Sequence, residues 1–391
     1  MKLFVSHLDS ANQFFIAEWN ETLVVLSLIL LFIVFVSTKK SPPNRHPQDN
    51  QGFILRESTV ALKGIAILFL FIGHFSIKCV DKPCMFEFAG MWAVVVFLFC
   101  SGIGISKTYG LNLAKPGFLH RRLLKLFAPT LFVVILFYSL DFLLLGKTYA
   151  LQGFLLNCLG LFSFAGPNPA LWFVTFIMYQ YLLFFLLSKL NASVKTKVIW
   201  LCSISVCTAV SITIIPLLRS HFEMWCQYSI VFPASVTVGY FRIPIKKWVS
   251  KLFHLSPVLF LLLVVASLVI FYFDPFWDTV RNFPYPYSVL DKLLTLFRPL
   301  YLIAALIGIA YCLDNFNRES RFLSFLGKYS FEMYLLHMPL MVSYDFILFR
   351  KPLYAFFLVF IASILVLGYG LNRISEATNQ LFAKIVGGLL S

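Results

Sequence analysis

Residues 58–74 read STVALKGIAILFLFIGH. Apart from Lys63 and His74, nothing in the run beyond its first two residues offers a polar side chain. A stretch of this length and apolarity matches the hydrocarbon thickness of a bilayer. Lipid offers the backbone no hydrogen-bond partners, so such a segment must be a helix or a strand of a closed barrel. Polar and apolar residues do not alternate at period two, which selects the helix. On a helix the eleven residues from Lys63 to His74 rise roughly 16 Å and turn about 1100°, close to three full turns. Both side chains therefore share one face. An ionisable group inside a span is costly to keep there, which makes both residues functional candidates. On the residues alone, a structural hydrogen bond explains His74 as well as catalysis does.

Similar runs recur along the chain. The sequence predicts an all-α, polytopic membrane helix bundle of about 11 transmembrane helices. Their approximate limits are 21–38, 59–79, 88–108, 123–146, 171–189, 196–218, 225–241, 255–273, 293–313, 329–349 and 352–374. Composition agrees, with 60% apolar and only 13% charged residues over 391 positions. The Pro- and Asn-containing stretch 41–52 is the one linker-like segment, dividing residues 1–55, an N-terminal helix and linker, from a ten-helix domain at 56–391. Alternating the loops puts most of the 32 Lys and Arg on one side. The positive-inside rule makes that side cytoplasmic, with the N-terminus outside and the C-terminus cytoplasmic in a cell membrane. The first span lacks a basic lead-in and is expected to be a retained helix, not a signal peptide.

The net charge of +15 does not imply nucleic-acid binding, because the basic residues cluster at span ends. Most of the eight cysteines lie inside apolar runs, with no zinc spacing, and no metal site is expected. Cys79 and Cys84 share a polar loop and can pair if it faces an oxidising compartment. Segment 150–165 is apolar but short, and Gln152 and Asn157 interrupt it, so it is expected to be interfacial or re-entrant. The aromatic and proline-rich loop from Asp274 to Lys292 reads as a lid or a glycan-contacting surface, and at least as well as an interface anchor.

The remaining intramembrane ionisable residues are few. Glu332 and His337 share a span but are offset by about 500°, facing directions some 140° apart. One is expected to line a cavity and the other to brace a neighbouring helix, and Glu332 could pair with Lys63. Arg121, Arg122 and Lys125 form a cytoplasmic cluster that suits phosphates or anionic lipids. Ser101 beside Gly102 reads as close helix packing. Arg298 could touch an acceptor, snorkel, or pair with Asp291 or Asp345. Asp141 and Asp345 are expected near outer helix ends, within reach of water.

Five segments, in order, resemble the acyltransferase-3 family. STVALKGIAILFLFIGH carries its basic residue, ten intervening residues and histidine. FLFCSGIGI (97–105), FLHRRLLKLFAP (118–129), LWFVTFIMYQYLL (171–183) and GKYSFEMYLLHMPL (327–340) resemble its later motifs. Lys63 stands where Arg is common in the family, and Lys125 where the basic loop often has a second Arg. The resemblance implies a ten-helix membrane core and O-acyl transfer, commonly O-acetylation of surface polysaccharides. The donor would be acetyl-CoA or another acyl-CoA, and the acceptor a glycan or lipid-linked saccharide, with membrane lipids around the protein. His74, Glu332 and His337 would be catalytic, and Lys63, Arg121, Arg122 and Lys125 would hold the donor. A transporter or flippase of a glycan or anionic solute is the competing reading of the same buried charges.

Overall fold

Apolar sequence without backbone solvation becomes helix almost throughout. The computed structural model describes residues 16–40, 53–79, 89–110, 118–161, 166–273, 296–315, 318–348 and 350–389. Its helices run as α1 (Ile16–Val36), α2 (Arg56–Cys79), α3 (Ala89–Tyr109), α4 (Phe118–Leu145), α5 (Leu151–Cys158), α6 (Leu171–Lys189), α7 (Val194–Ile214), α8 (Pro216–Tyr228), α9 (Val231–Tyr240), α10 (Arg242–Leu255), α11 (Pro257–Phe273), α12 (Pro299–Asn315), α13 (Arg321–Lys328), α14 (Ser330–Val342) and α15 (Leu353–Leu389). Cys84, the 41–52 linker and the 274–292 loop lie outside the described residues.

Among the described residues six helices are long and apolar enough to cross a bilayer: α2, α3, α4, α6, α7 and α15. A seventh span forms if α10 and α11, bent by 119° at Ser256, count as one. The expected count of about eleven is not confirmed among the described residues. The 13 residues of α14 rise only about 20 Å against a core of roughly 30 Å. The expected span 225–241 is split between α8 and α9, and α12 has 17 residues. The eight-residue α5 is too short to cross, in keeping with the reading of 150–165. Outward-facing Leu31, Phe35, Val258, Leu261 and Val366 are each 60–76% exposed, the apolar surface that lipid would cover.

The helix α14 packs against α2, α4 and α15, and α2 in turn packs against α3 and α13. Two glycines permit the last contact. A Cβ on Gly64 would overlap the Leu323 carbonyl oxygen, and one on Gly327 the Val60 carbonyl oxygen. The backbones of α2 and α13 therefore touch directly. The N-terminus of α2 is fixed by Asp314 at the end of α12. Its carboxylate accepts from the Ile54 and Leu55 amides at 2.7 and 3.0 Å and from Ser58 Oγ at 2.5 Å. These amides belong to the unsatisfied donors at a helix start, and the negative charge suits the positive end of the dipole. Lys107 Nζ adds a bond to the Ile54 carbonyl at 3.0 Å.

A two-stranded antiparallel strap joins the N-terminal helix to the rest. In it β1 (Thr38–Lys40) pairs with β2 (Arg318–Ser320), Lys39 opposite Glu319. Those two side chains form an ion pair at 2.9 Å.

Asp141 and Asp345 depart from expectation, being 0% and 1% exposed. Asp141 accepts from the Tyr149 hydroxyl, and from Tyr344 Oη at 2.6 Å, with Lys147 Nζ at 3.8 Å. The carboxylate thus ties the end of α4 to the α4–α5 loop and to the segment leaving α14. Burial, reinforced by the bond to Asp141, holds the Tyr149 phenol above its usual pKa range. Arg298 is likewise buried at 8% exposure, which rules out snorkelling.

Candidate active site

A cavity of about 990 Å³ opens between α2, α3, α4, α6, α13, α14 and α15. Lys63, Arg121, Arg122, Lys125 and Glu332 all line it. The four cations expected to meet a donor are thus brought together from two helices. Arg56 and Lys328 add two more, against the carboxylates of Glu332 and Glu376. A concave site with this excess of positive charge focuses anions.

Aromatic rings fix Arg122, whose guanidinium lies 5.6 Å from the ring centre of Tyr109 and 6.0 Å from that of Tyr181. Such seating desolvates part of the side chain and restricts it. Tyr181 Oη lies 2.7 Å from Ser101 Oγ, and both residues line the cavity. The close packing expected at Ser101 and Gly102 is made by the glycine: a Cβ on Gly102 would sit 2.6 Å from Ser235 Cβ on α9.

Glu332 is 5% exposed and its partner is Asn372, whose Nδ2 donates to Oε1 at 2.9 Å. The anticipated Lys63 pairing does not form an ion pair within 4.0 Å among the described residues. The amide of α15 reaches the carboxylate instead.

His74 and His337 sit elsewhere. Neither lines the cavity, and their ring centres are 5.2 Å apart at 36° between planes. The 140° offset between Glu332 and His337 has this consequence: one side chain faces the cavity and the other the second histidine. Tyr334 connects the two regions. It lines the cavity and lies 5.3 Å, centre to centre, from His337. Phe173 and Phe97 pack on Tyr334 at 5.2 and 6.3 Å and also line the cavity. An aromatic layer therefore separates the cationic chamber from the histidine pair.

The backbone around His337 explains its state. His337 Nδ1 contacts the Tyr334 carbonyl, which can only accept, so Nδ1 carries the proton. Nε2 is then a lone-pair acceptor, buried and without a hydrogen-bond partner. One turn away Pro339 lacks the N–H that would bond to the Leu335 carbonyl. Asn168 Nδ2 takes that place at 2.8 Å, while its Oδ1 accepts from Ala170 N at 3.0 Å. Tyr334 Oη donates to the Ala170 carbonyl at 2.8 Å. The Gly-Pro-Asn-Pro turn, legible only as a loop, is thus a brace for the histidine helix. Beside His74, Gly90 on α3 keeps space open, since an added Cβ would touch the imidazole at 3.5 Å.

No group of three or more metal-binding side chains occurs among the described residues. The arrangement suits a polyanionic ligand at one end and proton transfer at the other. Residues 60–370 match a family described as an acyltransferase domain. The chain belongs to the acyltransferase-3 family. No curated protein and no solved structure matches it. The acyltransferase match begins three residues before Lys63 and ends two before Asn372, so it contains both histidines, Glu332 and the Arg121–Lys125 cluster.

Several lining residues of the acyltransferase had no role assigned from the sequence: Arg56, Tyr181, Lys328, Tyr334, Asn372, Ser375 and Asn379. Tyr181, Lys328 and Tyr334 do lie within the 171–183 and 327–340 segments that resemble the family, whereas 372–380 (NRISEATNQ) is polar at nearly every position and marks no single face.

Proposed function

We propose that this acyltransferase is a membrane-bound O-acyltransferase, in which acyl-CoA binds from the cytoplasm in the cationic cavity. Its phosphates meet Lys63, Arg121, Arg122 and Lys125, charge-assisted contacts suited to phosphate oxygens. The observation that carries this reading is the single chamber uniting those four cations, with the histidine pair behind its aromatic wall. Its volume, about 990 Å³, lies at the upper end of small-molecule sites, as a nucleotide-bearing donor requires.

The acceptor is a hydroxyl of a surface glycan or lipid-linked saccharide, arriving from the outer side. His74 takes the hydroxyl proton, and the oxygen attacks the thioester carbonyl carbon. The carbon–sulfur bond breaks, the proton passes to the departing sulfur, and the products are an ester and free CoA. His337, held as the Nδ1–H tautomer, presents its Nε2 lone pair beside His74 and positions or shares that proton. The aromatic layer keeps water from the thioester, which would otherwise be hydrolysed. Acetyl is the favoured acyl group, following the family resemblance.

The test is transfer of labelled acetyl from acetyl-CoA to a lipid-linked saccharide fraction by purified protein in nanodiscs. Label in an alkali-labile ester on the saccharide supports the reading. Movement of saccharide across the bilayer without thioester consumption would support a flippase instead.

A further inference from the structure

Asn372, Ser375, Glu376 and Asn379 follow one another along α15 at helical spacing, share one face, and all line the cavity. Three atoms of this stripe are buried without a hydrogen-bond partner: Asn372 Oδ1, Ser375 Oγ and Asn379 Oδ1. Ser375 is only 4% exposed. Buried polar atoms left open are costly, and several on one cavity wall point to a ligand that completes them. All lie beyond residue 370, where the family match ends.

Resting on the acyl-CoA reading above, we infer that this stripe binds the amide-bearing arm of the donor, between its phosphates and its thioester. The cavity's cations are on α2, α4 and α13, none on this face of α15. Glu376, on the same face, would repel phosphate. The stripe therefore suits a neutral, hydrogen-bonding segment. The open atoms are carbonyl and hydroxyl oxygens, which seek N–H donors, and the arm of CoA carries two secondary amides. Their nitrogens are joined through three carbons, about 5 Å apart when extended. Successive turns of a helix are about 5.4 Å apart, so neighbouring members of the stripe match neighbouring amides. An arm lying along α15 would leave Glu332 and its Asn372 bond in place.

The experiment compares two probes by calorimetry on full-length protein in nanodiscs: CoA, and adenosine 3′,5′-bisphosphate, which has the nucleotide head without the arm. The variant is Ser375→Ala with Asn379→Ala, leaving Asn372 intact. Loss of two neutral hydrogen bonds predicts about tenfold weaker CoA binding, with affinity for the bisphosphate unchanged. Equal weakening of both probes, or of neither, would overturn the inference. Asn379→Ala alone, at a half-buried position, gives the same comparison if the double variant does not fold. Wild-type protein that binds neither probe would instead remove the acyl-CoA reading, and this inference with it.

Discussion

The imidazoles of His74 on α2 and His337 on α14 lie 5.2 Å apart between ring centres, outside the cationic cavity and joined to it through Tyr334. On the proposed reading this geometry divides binding from chemistry, and the two should be separable by mutation. His337→Ala is expected to lower kcat by about 100-fold or more, the usual scale for a proton-transfer group. CoA affinity should stay at the wild-type value. Calorimetry and CoA release on one preparation check both halves.

Arg122 tests the cationic chamber. Arg122→Lys keeps the charge but gives up the guanidinium held 5.6 and 6.0 Å from the ring centres of Tyr109 and Tyr181. The loss of about 1–2 kcal/mol of cation–π contact predicts a roughly tenfold rise in KM for the acyl-CoA, with kcat little changed. Steady-state kinetics measures the split.

Asn168 tests the brace. Asn168→Ala leaves the Leu335 carbonyl, already deprived by Pro339, without its 2.8 Å donor. An unsatisfied buried acceptor costs about 1–3 kcal/mol. Thermal unfolding in detergent should show a lowered midpoint, and turnover should fall because His337 loses its fixed backbone.

Gly64 tests the helix crossing. Gly64→Ala places a methyl on the Leu323 carbonyl oxygen and must push α13 off α2. Overpacking of this kind costs about 1–3 kcal/mol. Gly370→Ala on α15, where nothing lies within 4 Å of an added Cβ, is the control. It should be neutral or stabilise by up to about 1 kcal/mol, and the two unfolding midpoints should move apart.

Membrane-helix character was legible because it follows from apolar length and bilayer thickness; helix period put Lys63 and His74 on one face, yet only Lys63 lines the cavity. The number of crossings is not confirmed among the described residues. Hydropathy cannot distinguish one long helix from the broken pair α8 and α9, or from a short α14 buried among three neighbours. The angle between Glu332 and His337 correctly separated their environments. What His337 meets is decided by how α14 packs on α2, which no local pattern records. Asp141 shows the same limit: expected near an outer helix end within reach of water, it is clamped by Tyr149 and Tyr344. The face formed by Asn372, Ser375 and Asn379 was not readable, since Arg373, Glu376, Thr378 and Gln380 make the same stretch polar around most of the helix.

The most direct measurement is release of free CoA from acetyl-CoA by the purified protein in nanodiscs, with a lipid-linked saccharide acceptor, for wild type and His74→Ala. Turnover in the wild type that falls by about 100-fold or more in the variant, with CoA binding and unfolding midpoint retained, is the result predicted. Equal turnover in the two proteins would contradict a mechanism centred on His74.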